Sequence, residues 1–105
     1  MKRICIVEEN KNKRKILSNL PAGCEEGFVS GMYSEHADFG MKLGICSEEG
    51  KLLLVPQYDV ITVQWYGRYV EFECEEWVGE ECFERVFVLT KGGEIVDKRW
   101  YKEEE

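Results

Sequence analysis

An all-β chain is what the 105-residue sequence predicts: an antiparallel sheet of consecutive β-hairpins, arranged as a repeat-like sheet, sandwich or small barrel, with at most one or two short helical turns. Three observations carry this. Apolar residues recur with period two along most of the chain. Turn residues, chiefly glycine and asparagine, interrupt them about every ten residues. No long amphipathic helical pattern is present. A chain of this length suits one domain, 1–105, since it buries roughly two thirds of the surface exposed on unfolding. Its content of 44% hydrophobic and 12% aromatic residues is enough to offset the entropy of ordering.

The elements follow in order. RICIVEENKNKRKIL reads as a hairpin bent at Asn10 to Asn12. LPAGCEEGFVSG, punctuated by Pro21, Gly23, Gly27 and Gly31, reads as loop with a short strand at residues 28–30. MYSEHADFG is expected to form one helical turn capped by Ser34, with Glu35 and Asp38 near its positive end. GMKLGICSEEGKLLLVP is a hairpin turning at Glu49 and Gly50, whose second strand Pro56 is expected to stop because proline cannot donate to the ladder. VITVQW and YVEFECE form the next hairpin through Gly67. FERVFVLTKGGEIVDKRWY is the last, with Gly92 and Gly93 supplying the positive φ angles of a two-residue turn.

An internal repeat lies within this series. Setting Gly50 over Gly93 brings Lys51 over Glu94, Leu52 over Ile95, Leu53 over Val96 and Tyr58 over Tyr101, while Leu43 and Ile45 fall over Val86 and Val88. The first copy, LGICSEEGKLLLVPQYDVI, resembles the WG β-repeat family at Gly44, Ile45, Gly50, Lys51, Pro56, Tyr58, Asp59 and Ile61. Leu43 replaces the usual aromatic residue, and Lys102 stands where the second copy should carry Asp. The resemblance covers about one and a half degenerate repeats. It implies hairpins packed into a sheet array, used as a binding or accessory module, and brings no catalytic residues. Asp59, following Pro56 and Tyr58, is expected to cap backbone N–H groups in a turn.

Composition narrows the chemistry. Five cysteines (Cys5, Cys24, Cys46, Cys74, Cys82) are an odd number without CxxC spacing, so reduced thiols are expected rather than a disulfide framework or a metal site; Cys5, Cys46 and Cys74 read as small buried hydrophobes. Nucleophilic catalysis generally needs a base, and the one histidine, His36, reads as a loop or helix-turn residue among Ser34, Glu35 and Asp38. With no phosphate-binding glycine loop and no marked carboxylate pair, the expectation is a non-enzyme with no catalytic residues, no metal and no cofactor. No apolar run approaches the roughly 18 residues that span a bilayer. The N-terminal stretch turns to charge after four apolar residues, so a cytoplasmic protein with no membrane partner is expected.

Charge is uneven. Lys2, Arg3, Lys11, Lys13, Arg14 and Lys15 outnumber Glu8 and Glu9 at the N-terminus, but a net charge of −7 for the chain opposes direct binding to nucleic acid. The stretch EFECEEWVGEECFE carries Glu71, Glu73, Glu75, Glu76, Glu80, Glu81 and Glu84 around Trp77 and has no lysine or arginine. In the plainer reading Glu71, Glu73 and Glu75 are the wet face of a strand, and residues 76–84 form a charged loop with Trp77 turned inward. In the functional reading these eight residues are a partner-binding surface, since aligned carboxylates repel one another until a basic partner relieves them and Trp77 supplies an anchor. The partner is then a basic protein, for instance a nuclease or a nucleic-acid-guided effector that the chain inhibits, as an immunity or phage anti-defence protein does. Two further readings are a WG-like accessory module and a small-ligand pocket of Tyr33, Tyr58, Trp65, Tyr69 and Trp100. An exposed sheet edge also allows a homodimer.

Overall fold

A computed structural model describes residues 3–22, 30–66 and 70–102. Within them run the strands β1 (Arg3–Glu9), β2 (Arg14–Pro21), β3 (Ser30–His36), β4 (Lys42–Ser47), β5 (Leu52–Tyr58), β6 (Val60–Tyr66), β7 (Val70–Val78), β8 (Glu81–Leu89) and β9 (Ile95–Asp97), then one 3-10 turn at Lys98–Trp100. The strands form two antiparallel sheets, ordered β2-β1-β4-β5 and β3-β6-β7-β8-β9. The predicted all-β class and hairpin succession hold. The Gly67 junction of the β6–β7 hairpin and most of the predicted loop at 22–30 lie outside the described residues.

Period-two alternation places the core. Ile61, Val63 and Trp65 of β6 and Val70, Phe72 and Cys74 of β7 turn inward and meet Ile4 and Ile6 of β1 and Leu43 and Ile45 of β4. Each such buried side chain contributes about 1.5–3 kcal/mol. β1 is flanked by β2 and β4, and its apolar run ICIV serves both faces: Ile4 and Ile6 enter this core, whereas Cys5 and Val7 face away and pack with Cys46 and Leu52. The Trp65 indole N–H donates to the Pro21 carbonyl at 3.0 Å, joining the sheets while satisfying the one polar atom of a buried ring.

Three local expectations are corrected. MYSEHADFG forms no helical turn: Ser30–His36 is β3, paired residue for residue with β6 from Ser30 opposite Tyr66 to His36 opposite Val60. Ser34 shares a hydrogen bond with Thr62 Oγ1 at 2.8 Å instead of capping a helix, because sheet pairing outweighs a weak local helical preference. His36 is therefore an exposed strand residue. Pro56 does not stop β5, which continues to Tyr58; β5 is an edge strand, where a residue without an N–H is tolerated. Of the glycine pair in the last hairpin, only Gly93 takes a positive φ, 87°.

The 43-residue repeat is visible in the turns. Ser47 N–H donates to the Lys51 carbonyl at 2.8 Å and Gly50 N–H to the Ser47 carbonyl at 3.0 Å; Thr90, Glu94 and Gly93 repeat both bonds at the same lengths. The Ser47 hydroxyl accepts from Lys51 N–H at 3.2 Å, as the Thr90 hydroxyl does from Glu94 N–H. Gly50, at φ 92°, matches Gly93 in the left-handed region, where L side chains are strained.

Candidate protein-binding surface

The acidic stretch folds as a ribbon, not a loop. β6 begins at Val60, opposite Glu75, and β9 pairs with β8 only at residues 87–89, so residues 76–84 project beyond both neighbours as a two-stranded hairpin. Gly79, with φ 63°, holds the first central position of its two-residue turn, as the tight turns that suit the strand twist require. Glu80 completes that turn.

Directly opposed residues share a face. On the side of the ribbon away from the core, Glu75 lies opposite Glu84 and Trp77 opposite Cys82. On the other side Glu76 lies opposite Phe83 and Val78 opposite Glu81. Trp77 is 51% exposed, so it does not turn inward; Val78 and Phe83 are also exposed. Glu73 accepts from Gln64 Nε2 at 3.4 Å and Glu76 from Gln57 Nε2 at 3.1 Å. Among the described residues none of Glu73, Glu75, Glu76, Glu80, Glu81 and Glu84 enters an ion pair.

Glu71 departs from the expected wet face. It shares the face of Glu73 and Glu75, yet it is only 5% exposed and its carboxylate takes a 3.0 Å ion pair from Lys98 Nζ. The 3-10 turn after β9 delivers that lysine, so Glu71 is a structural residue holding the C-terminal segment rather than a free carboxylate. The set proposed from sequence is thus brought together on one ribbon, with Glu71 set apart at its base.

Asp59 pins the ribbon to the rest of the molecule. It sits where the chain passes from β5 to β6; Oδ1 accepts from Lys42 Nζ at 2.8 Å and Oδ2 from Trp77 N–H at 2.7 Å. Its backbone N–H donates to the Glu75 carbonyl at 2.8 Å and its carbonyl accepts from Ala37 N–H at 2.9 Å. The carboxylate does accept a backbone N–H as expected, but the donor is Trp77 on β7 and not a residue of its own turn. Burial works against the charged carboxylate, but the Lys42 and Trp77 hydrogen bonds and the Lys42 charge outweigh it and lower the pKa below the usual range.

The same node brings in a residue that sequence reasoning missed. Ala37 starts the β3–β4 connection, Asp38 N–H donates to the buried Glu8 at 2.8 Å, and Phe39 at its apex is fully exposed. A large apolar residue between Asp38 and Gly40 in a turn was the available signal. The basic β1–β2 turn lies at this end as well, because Glu9 pairs with Lys42, the partner of Asp59. There Asn10 Oδ1 accepts from Asn12 and Lys13 N–H at 2.8 and 3.0 Å, and Arg14 pairs with Glu9. One pole of the molecule therefore presents Phe39, Trp77, Val78 and Phe83 with the carboxylates of the ribbon and the cations of the β1–β2 turn.

Cys82 is the exposed thiol among the described cysteines. Desolvation beside its neighbours, then the charges of Glu75, Glu84 and Asp59, push its pKa up, which keeps it protonated and weakly nucleophilic. Among the described residues no group of three or more His, Cys, Asp or Glu is placed to hold a metal ion. Of the aromatic residues considered from sequence as a pocket, Tyr58 and Trp65 are core residues with Tyr33 packed against the same core and bonded to Glu35, Trp100 is exposed on the 3-10 turn, and Tyr69 lies outside the described residues. No helix among the described residues is long and apolar enough to cross a membrane. No protein-family model, curated protein or solved structure matches the chain.

Proposed function

We propose that the protein is a non-enzymatic binding module of the cytoplasm that masks a basic nucleic-acid-processing protein, its β7–β8 ribbon taking the place of phosphate against the partner's lysines and arginines. The observation that supports this reading is the ribbon itself: six carboxylates without cationic partners among the described residues, four of them on the projecting hairpin 76–84 with an exposed Trp77 and two, Glu73 and Glu75, on the strand that leads into it. Like charges opposed as Glu75 and Glu84 are cost stability in the free protein, a cost that a cationic surface converts into binding energy. Trp77 and Phe83 supply apolar contact within the charged frame, the composition of an interface hot spot. The partner is a nuclease or nucleic-acid-guided effector, as for immunity and anti-defence inhibitors.

A test is capture of partners from host lysate at low and high salt, by the wild type and by Glu73→Lys/Glu75→Lys/Glu84→Lys. Glu71 is left intact because its loss breaks the ion pair with Lys98 at the base of the ribbon. The reading expects a basic nucleic-acid enzyme that is released by salt, weakened at least tenfold by the triple variant, and inhibited in its own assay by the wild type. Equal binding by the variant sinks it.

A second reading is supported by the duplicated turns: a WG-like structural or accessory module, its acidity serving solubility and its edge strands β2, β3 or β5 available for a homodimer. It expects no salt-sensitive basic partner.

A further inference from the structure

On the face of the β2-β1-β4-β5 sheet turned away from the core, Cys5 of β1 stands directly opposite Cys46 of β4. Both are free thiols, 4% and 3% exposed. Opposed residues of an antiparallel pair have Cα atoms about 4.5 or 5.5 Å apart according to their place in the ladder, and both spacings fall within the span that a disulfide bridges. Burial first, and then the nearness of Cys5, pushes the Cys46 pKa up. The other described cysteines lack this arrangement. Cys74 faces the core opposite Ile61 and Arg85, its thiol pushed up to about 12, and Cys82 stands opposite Trp77.

We propose that Cys5 and Cys46 form an oxidative modification site, a thiol pair that a two-electron oxidant of the peroxide class joins into a cross-strand disulfide. The Cys5 sulfur, rather than that of Cys46, whose thiol burial keeps protonated, attacks a peroxide oxygen; the O–O bond breaks, giving a sulfenic acid and one water. The second sulfur attacks the sulfenic sulfur; the S–O bond breaks, the S–S bond forms and a second water leaves. Two electrons and both thiol protons pass to the peroxide, so the step balances. The β1–β4 ladder already sets the geometry, and the pair packs with Val7 and Leu52 on the outer face of its sheet, apart from the main core. The bridge ties position 5 to position 46 and so restricts the unfolded chain.

The test uses the full chain carrying Cys24→Ala and Cys82→Ala, treated with hydrogen peroxide and then analysed by intact mass, peptide mapping and thermal melting. The expected result is a mass loss of two hydrogens, a single cross-linked species joining the Cys5 and Cys46 peptides, and a Tm raised by about 5 °C or more, all reversed by dithiothreitol. Adding Cys5→Ala removes the mass loss and the Tm shift; adding Cys46→Ala instead does the same, and circular dichroism verifies that each variant is folded. Recovery of Cys5 and Cys46 unlinked, as thiols or as sulfinic acids, or linkage of either to Cys74, overturns the proposal.

Discussion

The hairpins β4–β5 and β8–β9 start alike and finish differently. Each opens with the same turn, a hydroxyl residue, two intervening positions and a left-handed glycine, and each begins its ladder in the same register, Cys46 with Leu52 and Leu89 with Ile95. After that β4–β5 bulges twice, until Leu43 faces Tyr58, whereas β8–β9 stays regular for three pairs and ends in a 3-10 turn. One residue accounts for the divergence. Gly44 lets the β5 backbone come so close that a Cβ there would lie 2.5 Å from the Leu54 carbonyl oxygen; the matching position in the second copy is Phe87. A bulge of that kind has no room beside a phenylalanine. The bulge brings the consecutive residues Leu53 and Leu54 both against the core, and Phe87 packs edge-on to Tyr58 at 6.0 Å between ring centroids. Turn geometry is thus decided by a few local residues, while the length and course of a hairpin are decided by what presses on it.

The comparison is broken most severely at Gly44. Gly44→Ala forces Cβ into backbone atoms of Leu54 and Pro56, and urea unfolding should show a loss of about 3 kcal/mol. A loss below 1 kcal/mol would mean that β5 retreats easily and that the bulge does not depend on the glycine.

An intermediate effect is expected at Asp59, whose counterpart in the second copy is Lys102. Asp59→Asn removes the charge facing Lys42 and weakens the acceptor for Trp77, costing about 1.5 kcal/mol at neutral pH. Because the folded-state pKa is lowered, the carboxylate stabilises the fold above its unfolded value of about 3.9, and this contribution disappears as pH falls through the lower folded value. Stability measured from pH 7 down to pH 2 should therefore show a shallower acid limb in the variant, the two proteins converging at the acid end. Parallel curves would contradict the assignment.

The smallest effect sharpens the likeness. Gly50→Ala and Gly93→Ala each place a side chain at a left-handed φ in open space, so each should cost about 1 kcal/mol and the two should agree within error. Unequal losses in thermal melts would show that the two turns carry different tertiary loads.

Much of the fold was legible because its signals are local. Alternation in VITVQW and YVEFECE identified β6 and β7 and the residues facing the core, and the glycines at 50 and 93 marked two turns. β3 was misread because Ser34, Glu35 and Asp38 carry a local helical signature, and the partner that overrides it, β6, lies nearly thirty residues downstream. At the candidate surface the register of Glu71, Glu73 and Glu75 could be read from alternation, but the cover over Glu71 could not: Lys98 arrives from a separate turn. Likewise the exposure of Trp77 depends on where β6 and β9 stop pairing with the acidic ribbon, which no feature of residues 71–84 encodes.

The order of strands has a consequence for how the chain reaches this state. Between β2 and β4 of one sheet, β3 leaves to join the other, so the two sheets are interleaved along the sequence. The hairpins β1–β2, β4–β5 and β7–β8 close over short loops and are expected to form early, whereas β1–β4 and β3–β6 close long ones and come later. A ribosome releasing the first half of the chain has delivered β3 before its partner β6 exists. Until β6 emerges, β3 presents both edges unpaired, and that interval is when the nascent chain is most open to misassociation.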